Sequence, residues 1–367
     1  MNSKKIDLRP DIIKTFIETK DEKVVCGILK EHSNQIIDYQ KSYISARGLK
    51  AKLFTVLVSK DSSFKKHFVV QSSSKTIYLK ALQAGQKYYY RIYGDKNLKN
   101  LLKEGSVETK NTPGIFYTID GMCNIRDIGG WKTTNGERIK HGLIIRGIRT
   151  NDHDNVPTFT KAGYLLLKDA LKIKGEIDLR HSQDNFGQTQ NIFNKDYPYI
   201  TAPFTTCCHI LPSFNEGGPY HRVFDKNTPD SFNKIFTFLS EKSNYPVFIH
   251  CNSGADRTGT ICMVIEGLLG VKEEDIYRDF ELTSFTPASQ RWRSKINDNN
   301  TFDDSGVMQD DQYNYVAAMK CLRTIKEEYG KGKTLQEAIT NYLKIVCNIS
   351  DEQINKLKEI MLEKPSK

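Results

Sequence analysis

Of eight cysteines, at positions 26, 123, 207, 208, 251, 262, 321 and 347, one is set apart by its surroundings. Cys251 is followed after five residues by Arg257, within Pro246-Val-Phe-Ile-His250-Cys251-Asn252-Ser253-Gly254-Ala255-Asp256-Arg257-Thr258-Gly259-Thr260. A β-branched and aromatic run enters a Gly-containing loop, and an apolar helical pattern follows at once. Such a loop aims several backbone N–H groups at its centre, and the helix behind it adds positive potential. A cysteine at its start is held substantially as thiolate, a strong nucleophile. The planar fork of Arg257 can bind two oxygens of a tetrahedral dianion and follow it into the transition state. The chemistry that uses both is attack on phosphorus through a covalent phosphocysteine.

Positioning that loop requires a strand before it and a helix after it, and the chain from Gly114 onward supplies the setting. Strand patterns at Leu143–Arg146, Gly175–Leu179 and Pro246–His250 alternate with helical ones at Lys161–Leu171, Pro229–Ser240, Thr258–Leu269, Glu273–Phe280, Gln312–Tyr329, Thr334–Ile345 and Asp351–Lys364. The expected fold is therefore an α/β domain over 114–367, its sheet covered by helices. Residues 20–96 have another rhythm, with short β-type runs from about Val24 and turn clusters at Asp61-Ser62-Ser63 and Ser72-Ser73-Ser74. That spacing predicts a small all-β sandwich. Residues 97–113 read as a linker with a helical patch at Leu98–Leu102.

Composition narrows the class. In 367 residues, 38% are hydrophobic and 10% aromatic, enough to bury real cores. No run approaches a membrane span, and the N-terminus has no apolar signal region. Residues 1–110 hold 22 Lys/Arg against 11 Asp/Glu, and the remainder 32 against 33, so all the basicity lies in the first third. A basic module could meet an anionic lipid or polymer, although a solvated lysine-rich surface is the plainer reading. Nucleic acid is not expected, since no Arg/aromatic reading face occurs. The absence of CxxC excludes zinc ribbons and thioredoxin-like redox motifs. Neither metal nor cofactor is expected. The cysteine usage fits a reducing, cytoplasmic location, with a secreted protein lacking its signal peptide as the alternative.

His250-Cys251-x5-Arg257-Thr258-Gly259 between strand and helix resembles the signature of the cysteine-dependent tyrosine and dual-specificity phosphatases. Asn124-Ile-Arg126-Asp127-Ile-Gly129-Gly130, Leu143-Ile-Ile-Arg146-Gly147, Ile177-Asp178-Leu179-Arg180 and Asp279-Phe-Glu281-Leu-Thr-Ser284 follow in an order similar to the bacterial-type tyrosine phosphatases. That family includes a secreted mycobacterial member acting on phosphotyrosine and phosphoinositides. The resemblance covers about Ile115 to the C-terminus. Separately, Leu82-Gln-Ala-Gly85-Gln-Lys-Tyr88-Tyr-Tyr90-Arg-Ile92 resembles the end of a fibronectin type III or Ig-like module, with Tyr88 at the place of the tyrosine corner.

The phosphatase resemblance implies Cys251 as nucleophile and Arg257 as phosphate clamp. It implies His250 as organiser of the loop and Thr258 as donor to the departing thiolate. The backbone of Asn252, Ser253, Gly254 and Ala255 would cradle the phosphoryl oxygens. Asp256 matches the general acid that these phosphatases carry just before the arginine, with Asp225 and Asp184 as rivals. The bland alternative is that Asp256 braces the loop. Arg126 and Asp127 are candidates for the phosphate pocket or for an ion pair fixing the Gly-Gly turn. Asp178 and Arg180 read more safely as a supporting ion pair, Cys262 as core, and Trp292 as core rather than pocket wall.

Relatives that take inositol phosphates commonly carry lysine inside the loop, where this chain has Ala255 and Asn252. The leading substrate is therefore a phosphotyrosine protein or peptide. Two other readings are weighed: a phosphoinositide or inositol-phosphate phosphatase docked by its basic module, and a catalytically dead phosphate-binding module. Retention of Cys251, Asp256 and Arg257 argues against the last.

Overall fold

The computed structural model describes residues 5–32, 35, 42–150, 160–182, 197–205, 207–213, 224–287 and 313–364. Asp184, Trp292 and the side chain of Cys208 lie outside the described residues.

The chain opens with two helices, α1 (Asp11–Glu18) and α2 (Glu22–His32). The second overturns the β-type reading from Val24. Val25, Cys26 and Leu29 fall on one buried face at helical spacing, and Val25 and Leu29 join the core of the C-terminal half with Ile13 and Phe16 of α1. Phe16 packs edge-on against Phe285 at 5.0 Å, and Arg278 reaches the Thr19 carbonyl at 3.4 Å.

Six strands follow: β1 (Tyr43–Ser45), β2 (Phe54–Ser59), β3 (Phe68–Ser72), β4 (Thr76–Tyr78), β5 (Lys87–Tyr93) and β6 (Leu101–Glu108). They pair antiparallel as β1-β4 and as β3-β2-β5-β6. Alternation along β5 turns Tyr88, Tyr90 and Ile92 inward against Phe54, Val56, Val58 and Leu82. Tyr88 Oη accepts a hydrogen bond from the Gln83 backbone N–H at 2.9 Å, the kind of tie that the tyrosine-corner resemblance implies. The expected linker is corrected by β6, whose Val107 faces Tyr88 and whose Gly105 faces Tyr90. The Asp95 carboxylate accepts from the N–H groups of Asn97, Lys99 and Asn100, so a tight turn replaces the helical patch.

The second half contains β7 (Arg126–Asp127), β8 (Arg138–Ile139), β9 (Ile144–Gly147), α3 (Lys161–Leu165, wound on as a π-turn to Ala170), β10 (Gly175–Asp178), β11 (Tyr199–Thr201), α4 (Thr228–Leu239), β12 (Val247–His250), α5 (Asp256–Leu268), α6 (Glu273–Glu281), α7 (Tyr313–Gly330), α8 (Leu335–Cys347), α9 (Asp351–Met361) and β13 (Leu362–Glu363). The central sheet runs β11-β10-β12-β9-β7, parallel except for β7. Ile144, Ile177, Val247 and Ile249 face a core that includes α4, α5 and α8. Ile145 and Phe248, on the opposite face, share one apolar cluster with Tyr117, Ile125 and Leu167 and with Leu82 and Tyr88 of the strands before. Burial on both faces explains why these strands read as continuous apolar runs. The antiparallel strands are thus packed into the same cluster as the sheet that carries Cys251.

Candidate active site

Strand β12 ends at His250 beside the C-terminal ends of β9 and β10, the edge where open α/β sheets place ligands. Residues 251–255 turn there, and α5 begins at Asp256. Gly254 has φ +64°, and a Cβ would collide with the Gly147 carbonyl, so the turn requires glycine. Cys251 is a free thiol with 3% of its surface exposed, while Asn252, Ser253, Asp256 and Arg257 are half-buried.

What shapes the loop is a set of donors outside it. Arg149 gives its backbone N–H (3.1 Å) and Nη1 (3.4 Å) to the Asn252 carbonyl. Asn124 Nδ2 donates to the carbonyls of Ser253 (3.0 Å) and Gly254 (3.1 Å). Arg146 Nη2 donates to Gly254 O (3.1 Å) and Ala255 O (3.4 Å). In a trans peptide the C=O and the following N–H point opposite ways. Drawing back the carbonyls of residues 252–255 therefore turns the N–H groups of residues 253–256 away from those donors, at a helix N-terminus, an arrangement of the kind that suits an anion.

His250 is buried behind the loop. Its Nε2 meets Glu176 Oε1 at 2.9 Å, its ring stacks on Phe248 at 5.4 Å, and its Nδ1 lies 3.4 Å from the Cys251 carbonyl. It can orient the loop's entry and does not line the cup. Asp178 lies 3.9 Å from His250 Nδ1, holds the Arg180 fork at 2.7–3.1 Å and accepts from the Tyr199 hydroxyl at 3.1 Å. Burial alone would raise the Asp178 carboxyl, but His250 and Arg180 outweigh it and hold it below its ordinary value. Arg257 reaches from α5 to the Leu179 carbonyl at 3.4 Å, which brings its guanidinium to the end of β10. The Thr258 hydroxyl is buried with no hydrogen-bond partner among the described residues, and is available as a donor.

Asp256 opens α5 beside Arg257, half-exposed, with its carbonyl accepting from Thr260 Oγ1 at 2.8 Å. Its rival Asp225 is committed elsewhere. One oxygen accepts from the Thr205 N–H (2.6 Å) and hydroxyl (2.9 Å), the other from the Asn227 N–H (2.9 Å). Those bonds pin the entry to α4.

Arg126 and Asp127 are corrected as pocket residues. Both are fully buried, and their side chains point to different partners rather than to each other. Asp127 accepts from the Gly129 and Gly142 N–H groups (2.8 and 2.7 Å) and from Tyr117 Oη (3.2 Å), and lies 3.1 Å from His141 Nδ1. It fixes the turn after β7. Arg126 donates to Asn124 Oδ1, the Asp279 carbonyl (3.0 Å) and Thr283 Oγ1 (3.1 Å), behind the loop. Burial, then the neighbouring Arg146, pushes its guanidinium down to about 10. Cys262 is core, and burial pushes its thiol up to about 12.

Sequence reasoning assigned no role to Asn124, Arg149 or Glu176. Their signal was present: Glu176 is a carboxylate inside an apolar strand, and such a group needs a buried partner.

A family model described as the tyrosine phosphatase family matches residues 117–363. The chain belongs to the tyrosine phosphatase family. The phosphatase has no match among curated proteins. Ten chains of solved structure match it, among them the core catalytic domain of the PP-IP phosphatase SIW14 from S. cerevisiae in complex with citrate. That likeness stands at 17% identity and TM-score 0.27, over 47% of this chain and 88% of the other. The family membership makes this a cysteine-based phosphatase, a hydrolase of phosphate esters with an α/β catalytic fold. The matched residues contain the whole loop and every donor behind it, and none of β1–β6.

Proposed function

We propose that this phosphatase hydrolyses phosphate monoesters through a phosphocysteine on Cys251, with phosphotyrosine in a protein or peptide as substrate. The observation that carries the reading is the ring of tied-back carbonyls around a nearly buried free thiol. In the first step Cys251 Sγ attacks phosphorus, the S–P bond forms and the P–O bond to the leaving group breaks. Asp256 delivers its proton to the leaving oxygen. The inward N–H groups and the Arg257 fork hold the equatorial oxygens throughout. In the second step water attacks the phosphocysteine, Asp256 takes the water's proton, and the thiolate departs toward the Thr258 hydroxyl. Ala255 and Asn252 add no cation to the loop, which supports a monophosphate such as phosphotyrosine over a polyphosphorylated ring.

The paired assay is hydrolysis of a phosphotyrosine peptide and a phosphoinositide panel without added metal, with Cys251→Ser and Asp256→Asn alongside. Peptide turnover lost in Cys251→Ser is the expected result. Preference for lipid would promote the phosphoinositide reading, which the charge of residues 1–110 supports. The Tyr88–Gln83 tie and the antiparallel sheets support a fibronectin type III or Ig-like identity for the sandwich. Contact of that basic module with an anionic membrane is tested by salt-sensitive liposome binding. Free thiols at Cys26, Cys123, Cys207, Cys251, Cys262, Cys321 and Cys347 support a cytoplasmic location, checked by fractionation.

A further inference from the structure

Two of the three residues that pull the loop's carbonyls back, Arg146 and Asn124, are themselves held from one place. Asp279, on α6, accepts from Arg146 Nη1 at 2.7 Å through its carboxylate, and its backbone carbonyl accepts from Arg126 Nη2 at 3.0 Å. Its second oxygen lies 3.6 Å from Arg126 Nε. A guanidinium is a rigid planar fork, so fixing one arm aims the other. With Nη1 of Arg146 on Asp279, Nη2 falls on Gly254 O and Ala255 O. With Nη1 of Arg126 on Asn124 Oδ1, the Asn124 amide can only turn its Nδ2 to Ser253 O and Gly254 O. Asp279 thus stands behind the contacts on three successive carbonyls of the loop, through Arg146 alone for Gly254 and Ala255 and through Arg126 and then Asn124 for Ser253 and Gly254.

We propose that Asp279 is a positioning residue for the phosphate loop, acting through Arg146 and Arg126 to keep the loop's N–H groups turned inward. This rests on the reading of the loop as an oxyanion cup. No neighbour substitutes for it. Glu266 lies in the same buried cluster, but burial, and then Asp279 itself, raises its carboxyl well above the ordinary range. Neither Glu266 oxygen has a hydrogen-bond partner among the described residues. Loss of the Asp279 charge would leave two adjacent buried arginines to separate, Arg146 tied to the loop directly and Arg126 through Asn124. Thr283, which accepts from Arg126 Nη2 at 3.1 Å, is a lesser support on the same face.

The test measures orthovanadate affinity and p-nitrophenyl phosphate kinetics in the full chain for wild type, Asp279→Asn, Arg146→Lys and Thr283→Val. Arg146→Lys keeps the charge but loses the planar fork whose two Nη atoms separately hold Asp279 and Gly254 O. Expected are vanadate affinity and kcat/KM falling together, by more than tenfold in Asp279→Asn and Arg146→Lys and by a few-fold in Thr283→Val. Lower thermal stability with vanadate affinity within twofold of wild type in the folded fraction would mean a merely structural role and overturn the proposal. Should Asp279→Asn fail to fold, the other two variants decide by the same criterion. Wild-type vanadate binding without turnover would defeat the catalytic reading while the affinity comparison still decided the positioning role. No vanadate binding by wild type would overturn both.

Discussion

The surroundings of Cys251 and the interior of the β1–β6 region solve burial in opposite ways. Behind the loop, Arg126, Arg146, Asp178, Glu176, His250, Glu266 and Asp279 are all buried. Between residues 42 and 109, the buried polar side chains apart from tyrosine are Ser42, Thr55, Ser59, Gln83 and Thr109, all neutral. Burying a charge costs several kcal/mol unless it is paired and hydrogen-bonded, about what a whole domain can spare. A fold that needs only to hold its shape avoids it. A loop that must present successive N–H groups on one side cannot, because its carbonyls need strong donors on the other. The density of buried charge therefore marks where geometry is under chemical demand.

The sharpest break of that contrast is at the loop. Cys251→Ser is expected to lower kcat by about 10⁴-fold or more with the fold unchanged, measured by steady-state turnover and circular dichroism. Asp256→Asn is expected to cost about 10²–10⁴-fold, most for poor leaving groups, which a series of aryl phosphates would expose. An equal loss for good and poor leaving groups would remove Asp256 as the acid. Gly254→Ala introduces a Cβ at φ +64° against the Gly147 carbonyl. Strain of about 1–3 kcal/mol is expected there, with weaker vanadate binding by calorimetry.

Sequence legibility divides along the same line. The strand, loop and helix around Cys251 were readable because their chemistry needs fixed residue types at fixed spacing. The roles of Arg126 and Asp127 were not, because facing cup or core depends on partners such as Asp279 that lie far away in the chain. Helix α2 was misread because Val24-Val25-Cys26 looks β-branched locally, while its buried face is set by packing against Leu282–Phe285. Strand β6 was missed because it is an exposed edge with weak alternation, paired through one neighbour. Tyr88, by contrast, was readable through its resemblance to a tyrosine corner, which rests on a local run of Leu82, Gly85 and Tyr88.

Two smaller effects sharpen the comparison. Glu266 is raised in the folded state, so the wild type loses stability relative to Glu266→Gln as pH climbs above the unfolded carboxyl's value, and the gap closes below it. The expected slope is about 1.4 kcal/mol per pH unit until the folded carboxyl ionises, read from urea melts between pH 4 and 7. A pH-independent gap would show that Glu266 is not held neutral. Tyr88→Phe leaves the Gln83 N–H without its acceptor and is expected to cost about 1 kcal/mol, with kcat/KM unchanged. Altered kinetics there would mean that the two regions are coupled.

The most direct single measurement is rapid-quench mass spectrometry of the enzyme during turnover of a phosphotyrosine peptide. A phosphoryl group on the peptide that contains Cys251, formed within one turnover and absent in Cys251→Ser, is the expected result. Continued hydrolysis with no phosphoryl adduct on Cys251, or full activity in Cys251→Ser, would contradict covalent catalysis by this loop.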